Sequence, residues 1–529
     1  MAAPGGPSVW PAFDLEIPAT SPAAAAAPAY ATWGELARAN RAMLDRATAP
    51  VGGVPLGALR RAARGEVLAL AARYTASLGL PTAPGASEVL LATGHQPLLV
   101  HPGIWVKYLA LARAVPPEGV GLNVIVDSDA ADEVAAEVPR ADGRLRRERV
   151  RLAEGGPDRP IEAIPAPEAA TWRAFAAAVD ERLATIAEPA VRAGWARARA
   201  LLPPPGGSDL GGAVTAVRRA LEGPRRYVDL PVSRLADTRA FRRFALALLA
   251  DAPRFAAIYN RCLAGYRAHY GVRTAAQPFP DLTVDDDLVE APFWLVEAGR
   301  RWPVFVRPAS GALVAAGRTV GEVPADADAP GFAALPLRPR ALALTAFVRL
   351  VVADLFVHGV GGGRYDRATD AVVREWLDLS PPAYVAVTAT LHLPFDGAGS
   401  IDAERLRLRR LLLDLQHNPD RFLPDGGPHR ALVEEKWALI RRLERAGETT
   451  RRARRAATQR IREINTILAT VVADRVADAQ EALARLDRHD EDAEVTAYRG
   501  YPFLLHPLEA VEALVDALAG AGPASGPGG

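Results

Sequence analysis

The stretch VLLATGHQPLLVHPGIWVKYLALARAV, from Val89 to Val115, decides the fold. It starts as a β-branched and leucine strand, turns at Gly94, His95 and Pro97, and continues into an amphipathic helix opened by Pro102-Gly103. A strand that runs through a glycine turn into a helix N-terminus leaves backbone N–H groups unpaired at one spot, which favours an anion there. Thr93, Gly94, Gln96 and the two histidines His95 and His101 surround that spot. The next segment, GLNVIVDSDAADEV, supplies an apolar strand from Leu122 to Val126 that ends in Asp127, Asp129, Asp132 and Glu133. Strand, crossover helix and strand, with ligand-competent residues at both C-terminal strand ends, form the first half of a doubly wound α/β domain whose crevice lies at those ends.

A second half follows much later. A helix over about Ala341–Val352 leads into the apolar strand DLFVHGV, a turn at Gly361, Gly362 and Gly363, another helix, and the strand AYVAVTATL. The expected fold is therefore α/β: a Rossmann-like doubly wound parallel sheet, split by a mixed α+β insertion and followed by a C-terminal helical coiled-coil arm. By residue, this divides the chain into a disordered arm (1–30), the first half of the core (31–138), the insertion (139–337) and the second half (338–398). A helical arm (399–490), a return segment (491–513) and a disordered tail (514–529) complete it.

Within the insertion, Trp172, Phe175, Val179, Leu183, Ile186, Val191 and Trp195 recur at spacings that mark a buried helical stripe. PFWLVEA and RWPVFVR read as strands joined at Gly299. In the arm, Ile461, Ile464, Leu468, Val471, Val476, Ala479, Leu483 and Leu486 keep a 3–4 spacing that points to a coiled-coil hairpin and a homodimer through it.

The 529 residues exceed one compact core, and half of them are hydrophobic. A formal net charge of +1 makes no case for nucleic acid or for a membrane surface as partner. The single cysteine, Cys262, excludes an intramolecular disulfide framework. Without an apolar run of about 20 residues or a convincing secretory signal, a cytoplasmic protein is expected. Lys107 and Lys436 are the only lysines, the other basic residues being arginine, and Lys107 reads as a solvated surface residue.

The TGHQPLLVHPG turn, the DSDAADEV strand end and the late VHGVGGGRYD segment together resemble the bacillithiol-biosynthesis cysteine-adding enzymes. The order of parts agrees from about residue 85 to 510, and the closing YPFLLHP is similar to that family's terminal segment. The resemblance implies a Rossmann-like core related to class I aminoacyl-tRNA synthetases, a dimerising coiled coil, cysteine as substrate and a glucosaminyl-malate acceptor. His95 stands where the family's turn carries glutamine.

His95 and His101 have two readings: imidazolium groups that stabilise charge beside a helix N-terminus, or a helix cap and a core donor. Asp127, Asp129, Asp132 and Glu133 can bind an amine, hold magnesium or act as base, or else cap a helix and carry surface charge. His358, Gly361, Gly362, Arg364, Tyr365 and Asp366 belong to the other half's strand end, where glycines allow close backbone approach and Asp366 and Asp370 lie one turn apart. His95, Asp129, Asp132 and His358 are the catalytic candidates, and the remaining named residues are substrate-binding candidates. No metal ligands are assigned. Small-molecule substrates are expected, with a nucleotide such as ATP as the candidate cofactor. Glu290 and Trp294 are either a carboxylate-and-aromatic platform for a sugar or amine, or core packing. The alternative to an enzyme is a non-catalytic binding or assembly protein dimerising through its arm.

Overall fold

The computed structural model describes residues 15–82, 88–142, 144–204, 206–272, 279–395, 398–424, 427–444, 451–488 and 493–520. Two compact units form: one from residues 1–141, 147–393 and 499–529, the other from 142–146 and 394–498.

The first unit is built on a six-stranded sheet. Its strands are β1 (Ala23–Ala27), β2 (Val89–His95), β3 (Gly119–Ile125), β4 (Tyr227–Pro231), β5 (Leu355–His358) and β6 (Val385–Thr390). In space they run β1-β6-β5-β2-β3-β4. Five are parallel, and β1 pairs antiparallel at the edge. Parallel strands covered on both faces need continuous apolar runs, and β6 and all but the last two residues of β2 are buried throughout. Chain order advances outward from β2 on one side and resumes at β5 on the other. Strand direction is constant, so β2 and β5 send their following loops to opposite sides, and a crevice opens between their C-terminal ends.

Four helices position this crevice: α1 (Leu56–Ser77), α2 (Pro102–Ala114), α3 (Leu210–Glu222) and α4 (Val360–Leu377). At the opposite ends of β2 and β5, buried Asp354 ties the sheet to α1. Its carboxylate pairs with Arg60 and with Arg64 at 2.8 Å and accepts the Leu90 N–H at 2.7 Å.

A second, antiparallel sheet of five strands comes from residues 289–339, led by Val289–Glu297 and Arg300–Arg307. It shares one apolar core with the main sheet, through contacts such as Phe241 with Phe293 and Phe347.

Several expectations need correction. Residues up to 30 are not all a disordered arm, because Ala23–Ala27 closes the sheet edge. The insertion is not separate from the core, since β4 lies inside it and pairs with β3. YVDLP is a short run flanked by charge and proline, and its burial comes from neighbours distant in sequence. The apolar stripe spans two helices, Ala169–Leu183 and Pro189–Ala200, because Pro189 cannot continue the first. The tail expected to be disordered over 514–529 is helical as far as Gly520, in the helix Leu508–Gly520 whose Val511, Leu514, Val515 and Leu518 form a buried stripe, and its residues 521–529 lie outside the described residues. Gly361–Gly363 are the first turn of α4 rather than a turn before it.

The second unit is helical: Ala398–His417, Arg430–Glu444, Arg451–Val471 and Ala473–Arg488. Buried Lys436 pairs with Asp420 inside it. No helix among the described residues is long and apolar enough to cross a membrane.

Candidate active site

A cavity of about 270 Å³ occupies the crevice between the C-terminal ends of β2 and β5. His95, Gln96 and Asp129 reach it from one half of the chain, and His358, Tyr365 and Asp366 from the other. Gly94 and Gly362 also line it, while Phe279, Leu344 and Phe356 supply an apolar wall.

His95 ends β2, and its Nδ1 lies 3.0 Å from the Gln96 carbonyl oxygen. A carbonyl only accepts, so Nδ1 carries the proton and Nε2 keeps its lone pair. Burial, with Lys107 nearby, lowers its pKa to about 3. The expected imidazolium is therefore a neutral imidazole near pH 7, because a charged ring would lose hydration without gaining a carboxylate.

On the facing strand, His358 Nε2 lies 3.0 Å from Asp366 Oδ2. Burial raises the Asp366 carboxyl, but Arg349 and His358 outweigh it and hold the group well below the usual carboxylate range. Arg349 donates to Asp366 at 2.5 Å and to Asp370 at 2.7 Å. An ionised Asp366 selects the tautomer of His358 with the proton on Nε2, leaving Nδ1 basic. Burial also lowers the His358 pKa. Both imidazoles thus present an unprotonated nitrogen.

Asp129 accepts from Gln96 Nε2 at 3.0 Å and lies 3.6 Å from Arg301. Burial raises its pKa. The Arg301 and Arg340 guanidinium carbons stand 4.8 and 4.0 Å from the Trp294 ring centroid, and Arg340 also donates to Glu290 at 2.6 Å. Trp294 and Glu290 are therefore committed to the wall behind Asp129 rather than offered as a platform.

The other candidates lie elsewhere. Thr93 is buried and donates to the Val357 carbonyl at 2.7 Å, joining β2 to β5. His101 caps α2, its Nδ1 accepting from Gly103 N–H at 3.1 Å, and burial lowers its pKa to about 4. Asp127 is buried and accepts from the backbone and hydroxyl of Ser233, fixing the short helix Val232–Leu235. Asp132 is exposed, and Glu133 pairs with Arg149 on the surface at 2.9 Å. Gly361 and Arg364 are exposed on α4, and neither lines the cavity.

Lys107 is the residue that sequence reasoning missed. It is 2% exposed, not solvated, and its Nζ donates to the Gly94 carbonyl at 2.8 Å in the fork where β2 and β5 part. Burial, reinforced by Arg218, lowers its pKa to about 7. Two signals pointed to it: the surrounding WVKYLALA leaves the helix no polar face, and lysine is otherwise almost absent from a chain of 63 lysines and arginines. Arg349 was missed as well, because its role depends on two carboxylates that reach it only through the fold.

In chemical terms, the crevice combines two neutral imidazoles and a partly desolvated carboxylate, with Gly94 and Gly362 in its wall. Among the described residues, no group of acidic, histidine or cysteine side chains is arranged to hold a metal ion. Compared with protein-family models and with curated proteins, the chain matches none.

Proposed function

We propose that the chain is a ligase-like or transferase-like enzyme joining an amino acid, cysteine in the family it resembles, or another amine to a small sugar-derived acceptor. The observation that carries this reading is the meeting of His95, Gln96 and Asp129 with His358 and Asp366 in one cavity. The order of the five parallel strands, reversing at β2, supports a Rossmann-like core with its ligand at the reversal.

In this mechanism Asp129 orients the incoming amine with Gln96 beside it. His358, positioned through Nε2 by Asp366, takes a proton from the amine at Nδ1 as its nitrogen bonds to the acceptor carbon and the acceptor's oxygen leaves with its bonding pair, as phosphate or a nucleotide where ATP has activated it. His95 is a neutral hydrogen-bonding partner for the acceptor. A nucleotide such as ATP is the candidate co-substrate. The helical unit is assigned to homodimerisation as a coiled coil, supported by exposed Leu413, Ile467 and Val471.

The test is a thermal-shift screen of the purified chain against amino acids including cysteine, sugar-malate acceptors and nucleotides, beside His95→Ala and His358→Ala. A ligand at a hundred times its dissociation constant adds about 2.7 kcal/mol to the folded state. A shift in wild type that is lost in both variants, with product formation from the shifting pair, is the expected result. Absence of any shift would move the assignment to an assembly protein acting through its helical unit.

A further inference from the structure

The apolar lining of the crevice has no part in the chemistry described so far. The helix Ala341–Phe347 and the π-helical turn Val348–Val352 that continues it place Ala341, Leu344, Thr345 and Val348 against the cavity. These positions, at i, i+3, i+4 and i+7, form a single helical face. The Thr345 hydroxyl donates back to the Ala341 and Leu342 carbonyls at 3.1 and 3.2 Å, so it is spent within its own helix. Val124, Val126, Phe279 and Phe356 continue the same apolar lining.

Such a face is ordinarily closed over by other side chains. Leu344 is 6% exposed and Val348 1%, yet both still border a space of about 270 Å³. A void of about 150 Å³ lined by aliphatic and aromatic side chains accommodates one benzene molecule. The crevice therefore has room for one ring or branched chain with a polar head beside it. Burial of apolar ligand surface there is favoured in proportion to the area removed from water. A hydroxyl-rich ring in the same place would give up hydrogen bonds to water against groups that return none.

The polar residues of the same cavity set the charge of that head. Asp129 lines it with a carboxylate whose partners are Gln96 and, at 3.6 Å, Arg301. His358 Nδ1 is left uncovered by a glycine, since a Cβ built on Gly362 would lie 2.8 Å from it. Among the described residues, no lysine or arginine lines the cavity, and Arg349 is spent on Asp366 and Asp370. Carboxylate and imidazole acceptors suit a nitrogen donor and oppose an anion.

We infer that the nitrogen nucleophile taken by this crevice is a primary amine bearing a branched aliphatic or aromatic group, seated on the face formed by Leu344 and Val348. The inference deepens the proposed function and rests on it for the role of the amine. The polar head meets Asp129 and His358, and the apolar group fills the space bordered by Leu344, Val348, Phe279 and Phe356. Cysteine, with only a methylene and a thiol beyond its Cα, leaves most of that face uncovered and is the poorer fit.

The experiment is calorimetric titration of the full chain with isopentylamine and phenethylamine. Ethanolamine serves as the amine without an apolar group, and isovalerate as the same branched chain on an anion. Leu344→Asn and Phe279→Ser make the wall polar, and Asp129→Asn removes the charge that faces the head. Phe279 is only half-buried, so Phe279→Ser keeps the test open where Leu344→Asn does not fold, and circular dichroism reports the folding of each variant. Both apolar amines should bind wild type at least tenfold (about 1.4 kcal/mol) more tightly than ethanolamine or isovalerate, and each folded variant should lose at least that factor. Equal binding of ethanolamine, preference for isovalerate, absence of binding by both apolar amines, or wild-type affinity in Phe279→Ser would each overturn the inference. Binding is read without turnover, so apolar amines that bind a chain yielding no product retire the ligase reading and leave the amine site. Product formation from cysteine without binding of the apolar amines does the reverse.

Discussion

His358 Nε2 and Asp366 Oδ2 are 3.0 Å apart, and the same carboxylate oxygen accepts from Arg349 at 2.5 Å. The two contacts make Asp366 both a structural anion and the orienting partner of a crevice imidazole. Asp366→Asn leaves Arg349 buried with one fewer carboxylate, so unfolding in urea should show a loss of about 3 kcal/mol. A loss below about 1 kcal/mol would mean that Asp370 alone satisfies Arg349. The sign with pH is fixed by the folded carboxyl lying below its unfolded value of about 3.9. Its stabilisation is complete above that pH and is lost as pH falls further. The variant should therefore show a shallower decline in stability below about pH 4 than wild type.

Asp127 behaves in the opposite way. Burial, and Glu162 beside it, raise its pKa to about 7. The folded chain then binds more protons than the unfolded chain between roughly pH 4 and 7, so this group's contribution falls as pH rises through that window. Asp127→Asn retains bonding to Ser233 and removes the buried charge. Thermal unfolding should find it near wild type at pH 4 and more stable by a few kcal/mol at pH 8. Parallel stability profiles for the two proteins would refute a raised Asp127.

Asp354 sits under the sheet, where Arg60, Arg64 and the Leu90 N–H share its carboxylate. Asp354→Ala leaves the fully buried Arg60 guanidinium with Asp45, at 3.1 Å, as its remaining carboxylate, and a destabilisation of about 3 kcal/mol is expected in chemical denaturation. Ligand affinity of the molecules that remain folded should be unchanged, because the residue lies at the far ends of β2 and β5. A change in affinity at full folding would show that the two ends communicate.

Removal of residues 1–27 should uncover the outer edge of β6, whose N–H and C=O groups now pair with Ala23–Ala27. An exposed apolar edge invites pairing with another chain. Light scattering after size exclusion should show concentration-dependent association of the truncated protein beyond the state of the full chain. Identical profiles would show that the edge needs no cover.

The first strand, its turn and the helix opened at Pro102 were legible because apolar runs, proline and glycine act locally. The second half was legible for the same reason, down to β5 and β6. β4 was not, since a five-residue run such as YVDLP acquires its strand character from the β3 ladder. In the site, His95, Gln96, Asp129, His358, Tyr365 and Asp366 were recognisable as polar groups at strand ends, and the fold brings them together. Asp127, Asp132 and Glu133 share that sequence signature, but Ser233 and Arg149 claim two of them and Asp132 faces solvent. Lys107 was misplaced because charge alone suggests exposure, whereas a helix without a polar face buries whatever it carries.

The edge strand also bears on the order in which the protein can be assembled during synthesis. Ala23 pairs with Thr390, so β1 is made roughly 360 residues before its partner, a delay on the order of tens of seconds at ordinary elongation rates. During that interval the segment has no ladder to join. Five alanines have little apolar surface and weak strand preference, so they are a poor template for premature pairing while they wait. The last ladder of the sheet to form is thus made by the segment least able to misfold before its partner exists.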